Sequence, residues 1–210
     1  MVDQTRVVYD SSDKNIVTIG SPNEKSVILT FDDGPSRILS QILDVLKDEN
    51  VPAMFFWQSR LLHHERPWLR VIKEGHLIGT HSINHKDLVK LPFEKQLKDI
   101  KTSVNVIEDM TGEKIYYFRP PFGRYNEDTL KAAQQLGLTT VMWRIASIDW
   151  ELKDKPQQII CNVVDHLEEG AIILLHELKQ TLHILPELIH AIRKKGYSFT
   201  TLPHRGSGPR

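Results

Sequence analysis

The 210-residue chain carries 27 basic and 27 acidic residues, a balance that leaves no net field to draw it to nucleic acid or to an anionic bilayer. Its longest apolar runs, AMFFW and AIILL, fall far short of the ~20 residues a membrane-spanning helix needs, and the polar start MVDQTRVVYD lacks a signal peptide's apolar stretch. As given, the chain reads as soluble and cytoplasmic with no transmembrane segment. A single cysteine, Cys161, excludes an internal disulfide, and its setting among Ile159, Ile160 and Val164 predicts a packed, inert thiol.

Residues 1–25 hold two brief β-prone runs, VVY and IVTI, around the polar turn DSSDKN, and read as a hairpin or a plain lead-in. From residue 26 onward apolar runs alternate with helical patterns. SVILTF precedes a helix over 37–50, VPAMFFW one over 67–75, LIGTHS one over 92–110, and IYYFRP one over 126–137. TTVMWR then precedes a helix over 156–170 and AIILLHE one over 181–196, before YSFTTL closes the chain. Ile38, Ile42, Val45 and Leu46 recur at helical spacing, as do Leu130, Ala133 and Leu136, and glycines stand where helices should end. Seven strands separated by six helices require parallel pairing through right-handed crossovers, so the fold is an α/β barrel or a doubly wound sheet in one domain over 26–205.

The residues able to do chemistry fall at or just past the carboxyl ends of these strands: Asp32, Asp33, His81, Arg119, Asp149 and His176. In both architectures that edge carries the active site. Asp32 and Asp33 are adjacent, and neighbours on an extended backbone face opposite ways. If one site uses both, the chain must already be turning, and Gly34 and Pro35 allow it, with Ser36 as N-cap of the next helix. The plainer reading is a strand, turn and helix with two solvated acids.

His81 and His85 in GTHSINH are four apart, which on a helix or tight turn puts both rings on one side. With one carboxylate they make a two-histidine, one-aspartate set that leaves positions open on a metal; among ten histidines the spacing can also arise by chance. Arg119, in FRPPFG, is stiffened by Pro120 and Pro121 and suits a two-pronged hydrogen bond to a buried acid, or a loop salt bridge. Asp149 and Trp150 pair an acid with a wide aromatic wall, and His176 emerges from an apolar strand with Leu174 pointing the same way.

Taken in order, TFDDGPS, GHLIGTHSINH, RPPFG, SIDW and ILLHE resemble the five motifs of the polysaccharide deacetylases, carbohydrate esterase family 4 with the NodB-type fold, over residues 26–202. The resemblance implies a distorted, usually seven-stranded (β/α) barrel. It also implies metal-dependent removal of N-acetyl groups from chitin-like or peptidoglycan sugars, N-acetylglucosamine first, or of O-acetyl groups from xylan. Carried onto this sequence, Asp33, His81 and His85 are the ligands of one divalent ion, zinc before cobalt, nickel or iron. Asp32 is the general base, Arg119 its holder, and His176 the general acid sustained by Asp149. Pro120, Pro121, Phe122, Trp150 and Leu174 shape the substrate pocket, with the Phe122 N–H at the oxyanion. Two departures stand out: Phe122 replaces a common tyrosine, and Ala146 stands where many members have a second carboxylate, which leaves the tuning of His176 open. The family is often secreted or at the cell envelope, so removal of a signal is compatible with this chain. The alternatives are a catalytically silent carbohydrate-binding protein on the same fold, or an enzyme for xylan O-acetyl groups or small non-sugar amides. The sequence does not fix the oligomeric state.

Overall fold

The computed structural model describes residues 7–20 and 25–204. Its strands are β1 (Ile16–Val17), β2 (Ser26–Gly34), β3 (Ala53–Trp57), β4 (Leu77–Thr80), β5 (Tyr117–Phe118), β6 (Thr139–Val141), β7 (Ile145–Ala146), β8 (Ile172–His176) and β9 (Ser198–Phe199). The helices are α1 (Leu39–Asp48), α2 (Trp68–Lys73), α3 (Phe93–Thr111), α4 (Glu127–Gln135), α5 (Pro156–Val164) and α6 (Lys179–Lys194). Strand order is β1-β6-β5-β4-β3-β2-β8-β7, with β9 beside the start of β2. Every ladder is parallel, as helix-separated strands demand.

The sheet is curled into a distorted (β/α) barrel. β6, second in the strand order, and β7, at its far end, are joined only by residues 142–144, a link that can span at most ~14 Å. The run TTVMWR, expected as one strand, therefore stops at Val141, and its last three residues form the link across this seam. The N-terminal lead-in fills the seam and is not a hairpin: β1 pairs with β6, while Val8 bridges Ile145 and Ala146 donates to Val7 O at 2.7 Å. Two short apolar runs gain more by extending an existing sheet than by pairing alone in water.

Side-chain alternation divides the barrel wall. Along β2 and β3, Val27, Leu29, Phe31, Ala53, Phe55 and Trp57 belong to the core under the helices. Ile28, Met54 and Phe56 fill the interior with Leu77, Tyr117, Val141 and Ile172. Burying each large aliphatic chain in these layers stabilises the fold by about 1.5–3 kcal/mol. The even-numbered row of β2, Ile28, Thr30 and Asp32, thus ends with an acid at the barrel mouth.

Most helices follow the apolar spacing, with ends shifted by one or two residues, and Asn126 forms a capping box with Thr129. α5 stops at Val164 rather than near Gly170. Cys161 is a correction: it is exposed, on the side of α5 opposite the buried Ile159, Ile160 and Val163. Among the described residues no helix is long and apolar enough to cross a membrane.

His76 is a buried support whose Nδ1 accepts the Ala53 N–H at 3.1 Å. Burial pushes its pKa down from 6.5 to about 4, so the folded ring stays neutral where the unfolded ring charges. Stability is therefore lost as pH falls from 6.5 toward about 4. Urea midpoints at pH 7 and pH 5 should fall further in the wild type than in His76→Gln; equal losses would refute this role.

Candidate functional site

β2 ends in an irregularity that resolves the problem of two adjacent acids. Asp32 pairs with Phe56 on one side and His176 on the other, and the register then shifts between Asp32 and Gly34. The turn is made by Asp33, at φ 65°, rather than by Gly34, and a cis Gly34–Pro35 bond follows. Aspartate tolerates the left-handed region better than most residues. Glycine is needed at 34 for a different reason: a Cβ there would sit 1.7 Å from Glu177 Oε1. α1 begins at Leu39 without a side-chain cap, and Ser36 Oγ instead accepts the Ile38 N–H at 3.2 Å.

His81 and His85 lie on a tight turn, not a helix, with Ser82 and His85 at positive φ. The turn is pinned from several directions. His81 N–H donates to Trp57 O at 2.8 Å, Asp99 accepts the Ile83 N–H at 3.0 Å, and Ser103 Oγ donates to Ser82 O at 2.9 Å. Positive φ at the non-glycine residues Asp33, Ser82, His85, Phe122 and Ile148 concentrates backbone strain around this one mouth, which only a well-braced structure sustains.

One ligand atom each from Asp33, His81 and His85 lies within 4.8 Å of the others. Asp33 Oδ1 is 3.8 Å from His81 Nε2 and 3.5 Å from His85 Nε2. His81 Nδ1 lies 2.7 Å from Arg119 O; a carbonyl only accepts, so Nδ1 carries the proton and Nε2 presents its lone pair. Burial, then His81, hold the His85 pKa below its ordinary value against the pull of Asp33, which keeps a neutral imidazole available. Burial opposes the charge on Asp33, but His81, His85 and His176 outweigh it and lower its pKa. Two imidazoles and a carboxylate converging on one point fit a divalent ion with open positions. Gln58 Nε2 also donates to Asp33 Oδ1 at 2.7 Å.

Asp32 is buried at 3 % exposure and faces inward. Arg119, fully buried, reaches it with Nη1 at 2.7 Å. That nitrogen also donates to Thr30 Oγ1 at 2.8 Å, while Nε and Nη2 donate to Val141 O and Met142 O. Its guanidinium carbon lies 4.2 Å from the Phe56 ring centre. Every nitrogen of Arg119 is thus engaged and the fork cannot move, and the acid it grips keeps Oδ2 free of it, 3.7 Å from His81 Nε2.

On the neighbouring strand β8, His176 Nδ1 donates to Asp149 Oδ1 at 2.8 Å. Asp149 Oδ2 accepts the His176 backbone N–H at 2.7 Å and the Thr181 hydroxyl at 2.6 Å. Burial works against charge on His176, but Asp149, by charge and hydrogen bond, prevails and raises its pKa to about 9. Ala146 packs in β7 beside Leu174. The Trp150 ring meets His176 edge-on at 5.2 Å.

These residues open onto a pocket of about 400 Å³, whose lining includes Asp32, Asp33, His81, His85, Phe122 and His176. Leu174 and Trp150 also line it, as the sequence led us to expect. Pro120 and Pro121 do not: both are buried and shape the turn behind it. That turn's hydrogen bonds run from Gly123 N–H to Pro120 O and from Arg124 N–H to Pro121 O, outside which stands the Phe122 N–H. The Phe122 ring lies against His85 at 4.3 Å. Trp143 and Leu178 line the pocket too and went unnoticed in the sequence. Trp143 falls within the β-prone run TTVMWR, and nothing in that run signals that the strand stops before it.

The acids and histidines of this parallel barrel converge at the carboxyl ends of its strands, the edge at which barrel enzymes carry their active sites. Residues 19–141 match the family model for polysaccharide deacetylase, and the chain belongs to that family, carbohydrate esterase family 4 with the NodB-type fold. It is 33% identical over 192 residues to the peptidoglycan-N-acetylmuramic acid deacetylase PdaA of Bacillus subtilis, covering 88% of this chain and 72% of PdaA. With the peptidoglycan-N-acetylglucosamine deacetylase PgdA of Listeria monocytogenes it shares 31% identity over 184 residues, 85% of this chain and 38% of PgdA. The structure of the Bc1960 peptidoglycan N-acetylglucosamine deacetylase superposes with a TM-score of 0.83 at 31% identity, over 89% of this chain and 90% of that one. BA3943 from Bacillus anthracis, described as a pseudoenzyme of the same family, gives 0.81 at 28% identity over 87% and 66%.

Proposed function

We propose that this chain is a metal-dependent hydrolase that removes N-acetyl groups from amino sugars of a cell-wall glycan. N-acetylglucosamine in peptidoglycan is the first substrate and a chitooligosaccharide the next. The observation that carries the reading is the grouping of Asp33, His81 and His85 within 4.8 Å beside an Asp32 held separately by Arg119. The activities for which PdaA, PgdA and Bc1960 are named support peptidoglycan as the polymer.

Asp33, His81 and His85 would hold a divalent ion, zinc first, which when bound supplies Lewis acidity toward an acetyl carbonyl and toward water. Asp32, committed to Arg119 through Oδ1, accepts the attacking water's proton at Oδ2. The Phe122 N–H donates to the oxygen on which negative charge develops. His176, its Nδ1 committed to Asp149, delivers a proton from Nε2 to the departing amine. Leu174 and Trp150 form the apolar wall for the acetyl methyl group.

Acetate release from peptidoglycan fragments and chitooligosaccharides tests the reading. It should be abolished by chelator, restored by zinc or cobalt, and absent in Asp33→Ala, which should also lose metal. The pseudoenzyme relative motivates the second reading, a silent carbohydrate-binding protein. Metal-independent sugar binding without acetate under any metal would establish that instead, and preference for acetylated xylan or a small non-sugar amide would overturn the substrate.

A further inference from the structure

We infer that Glu177 is a positioning residue: its buried carboxylate ties the Asp33 turn to the end of β3 and thereby sets the geometry of the Asp33–His81–His85 cluster. The inference rests on the metal-site reading given under Proposed function.

Glu177 follows His176 where β8 leaves the barrel. By alternation His176 faces the mouth, and Glu177 turns behind it toward the outer layer, where it is 6 % exposed. Its backbone N–H donates to Asp32 O at 3.3 Å. The side chain does not line the pocket, so the proposed chemistry makes no use of it. Its two carboxylate oxygens instead accept from different parts of the fold. Oε2 accepts the Ser36 N–H at 2.7 Å, and Oε1 accepts the Trp57 indole N–H at 3.1 Å.

Both donors lead to proposed ligands. Ser36 belongs to the turn that begins with the left-handed Asp33. Trp57 O receives the N–H of His81 at 2.8 Å, and Gly34 O receives the N–H of Gln58, whose side chain holds Asp33 Oδ1. The carboxylate lies so close against Gly34 that no Cβ fits there. One acid therefore bridges the strand end that presents His176, the turn that presents Asp33 and the strand end that braces His81. A buried carboxylate is expensive to retain when an apolar side chain could fill the same space. The two N–H groups it satisfies would otherwise be left without an acceptor.

Glu177→Gln keeps the shape but turns one acceptor into an NH₂ that faces an N–H. Zinc affinity of the full chain, measured by competition with a chromophoric chelator, should fall about tenfold while the protein remains folded by circular dichroism. Trp57→Phe removes one donor without touching the acid and should weaken zinc binding in the same direction by a smaller factor. A Glu177→Gln protein that melts earlier yet binds zinc like the wild type would reduce Glu177 to a structural residue and overturn the inference. If Glu177→Gln does not fold, Trp57→Phe decides alone, wild-type affinity overturning the inference and weakened affinity supporting it. Absence of zinc binding in the wild type, equal to that of Asp33→Ala, would overturn the metal-site reading itself, and the inference with it.

Discussion

Asp32→Asn is expected to keep its metal and lose turnover by about 10²–10⁴-fold, the usual contribution of a positioned general base. Asp33 holds its place through its own turn and Gln58, so zinc affinity should stay within about threefold, well under the 10–100-fold that loss of a supporting group costs. Asparagine can still accept from Arg119 Nη1, and the guanidinium retains Thr30, Val141 and Met142 as acceptors. What it loses is, among the described residues, the one anion at hydrogen-bond distance in a fully buried setting. Stripping one partner from a buried ion pair costs about 3–5 kcal/mol, so the melting temperature should drop as well. Acetate release, chelator competition and calorimetry on the same preparation separate these effects. Turnover above a tenth of the wild type would place the base elsewhere.

Asp149→Asn should cost about 10²-fold or more in kcat through His176, and it has a spectroscopic signature. In the metal-free protein His176 stays protonated up to a pKa of about 9, raised from 6.5. A raised pKa means that the stabilisation from this charge is fully present below 6.5 and disappears as pH climbs through about 9. An asparagine that keeps its oxygen on the His176 backbone N–H and the Thr181 hydroxyl turns its NH₂ toward Nδ1, which must then accept and cannot be protonated. The His176 ring signals, followed by NMR in metal-free protein, should therefore titrate at lower pH in the variant, and the alkaline loss of stability should shift down with them. An unchanged titration would show that Asp149 does not set the charge of His176.

Much of this arrangement is legible in the one-dimensional pattern. Alternating apolar runs and helical spacings imply parallel strands, and the chemistry-bearing residues gather at one set of strand ends because each follows its own apolar run. Asp32, His81, Arg119, Asp149 and His176 are brought together as that placement implies. The turn was misread because glycine is the residue that usually takes positive φ, whereas Asp33 adopts it here and Gly34 is glycine to clear Glu177. Short strands were equally opaque. β1 and β7 have two residues each and exist because β6 and β8 offer them an edge. Trp143 joined the pocket when its strand stopped, and Cys161 lies on the outward side of α5.

By itself the sequence determined the fold class, the edge on which chemistry gathers and the residue types available there, because hydrophobic period and strand ends are local properties. Tertiary structure decided how two neighbouring acids divide. Asp32 continues the inward row of β2 and meets Arg119, while Asp33 leaves that row at a left-handed turn and faces His81 and His85. That division depends on groups distant in sequence, with Glu177 against Gly34, Gln58 on Asp33 and Trp57 on His81. A strained backbone conformation persists only where packing and hydrogen bonds from several strands leave it no cheaper alternative.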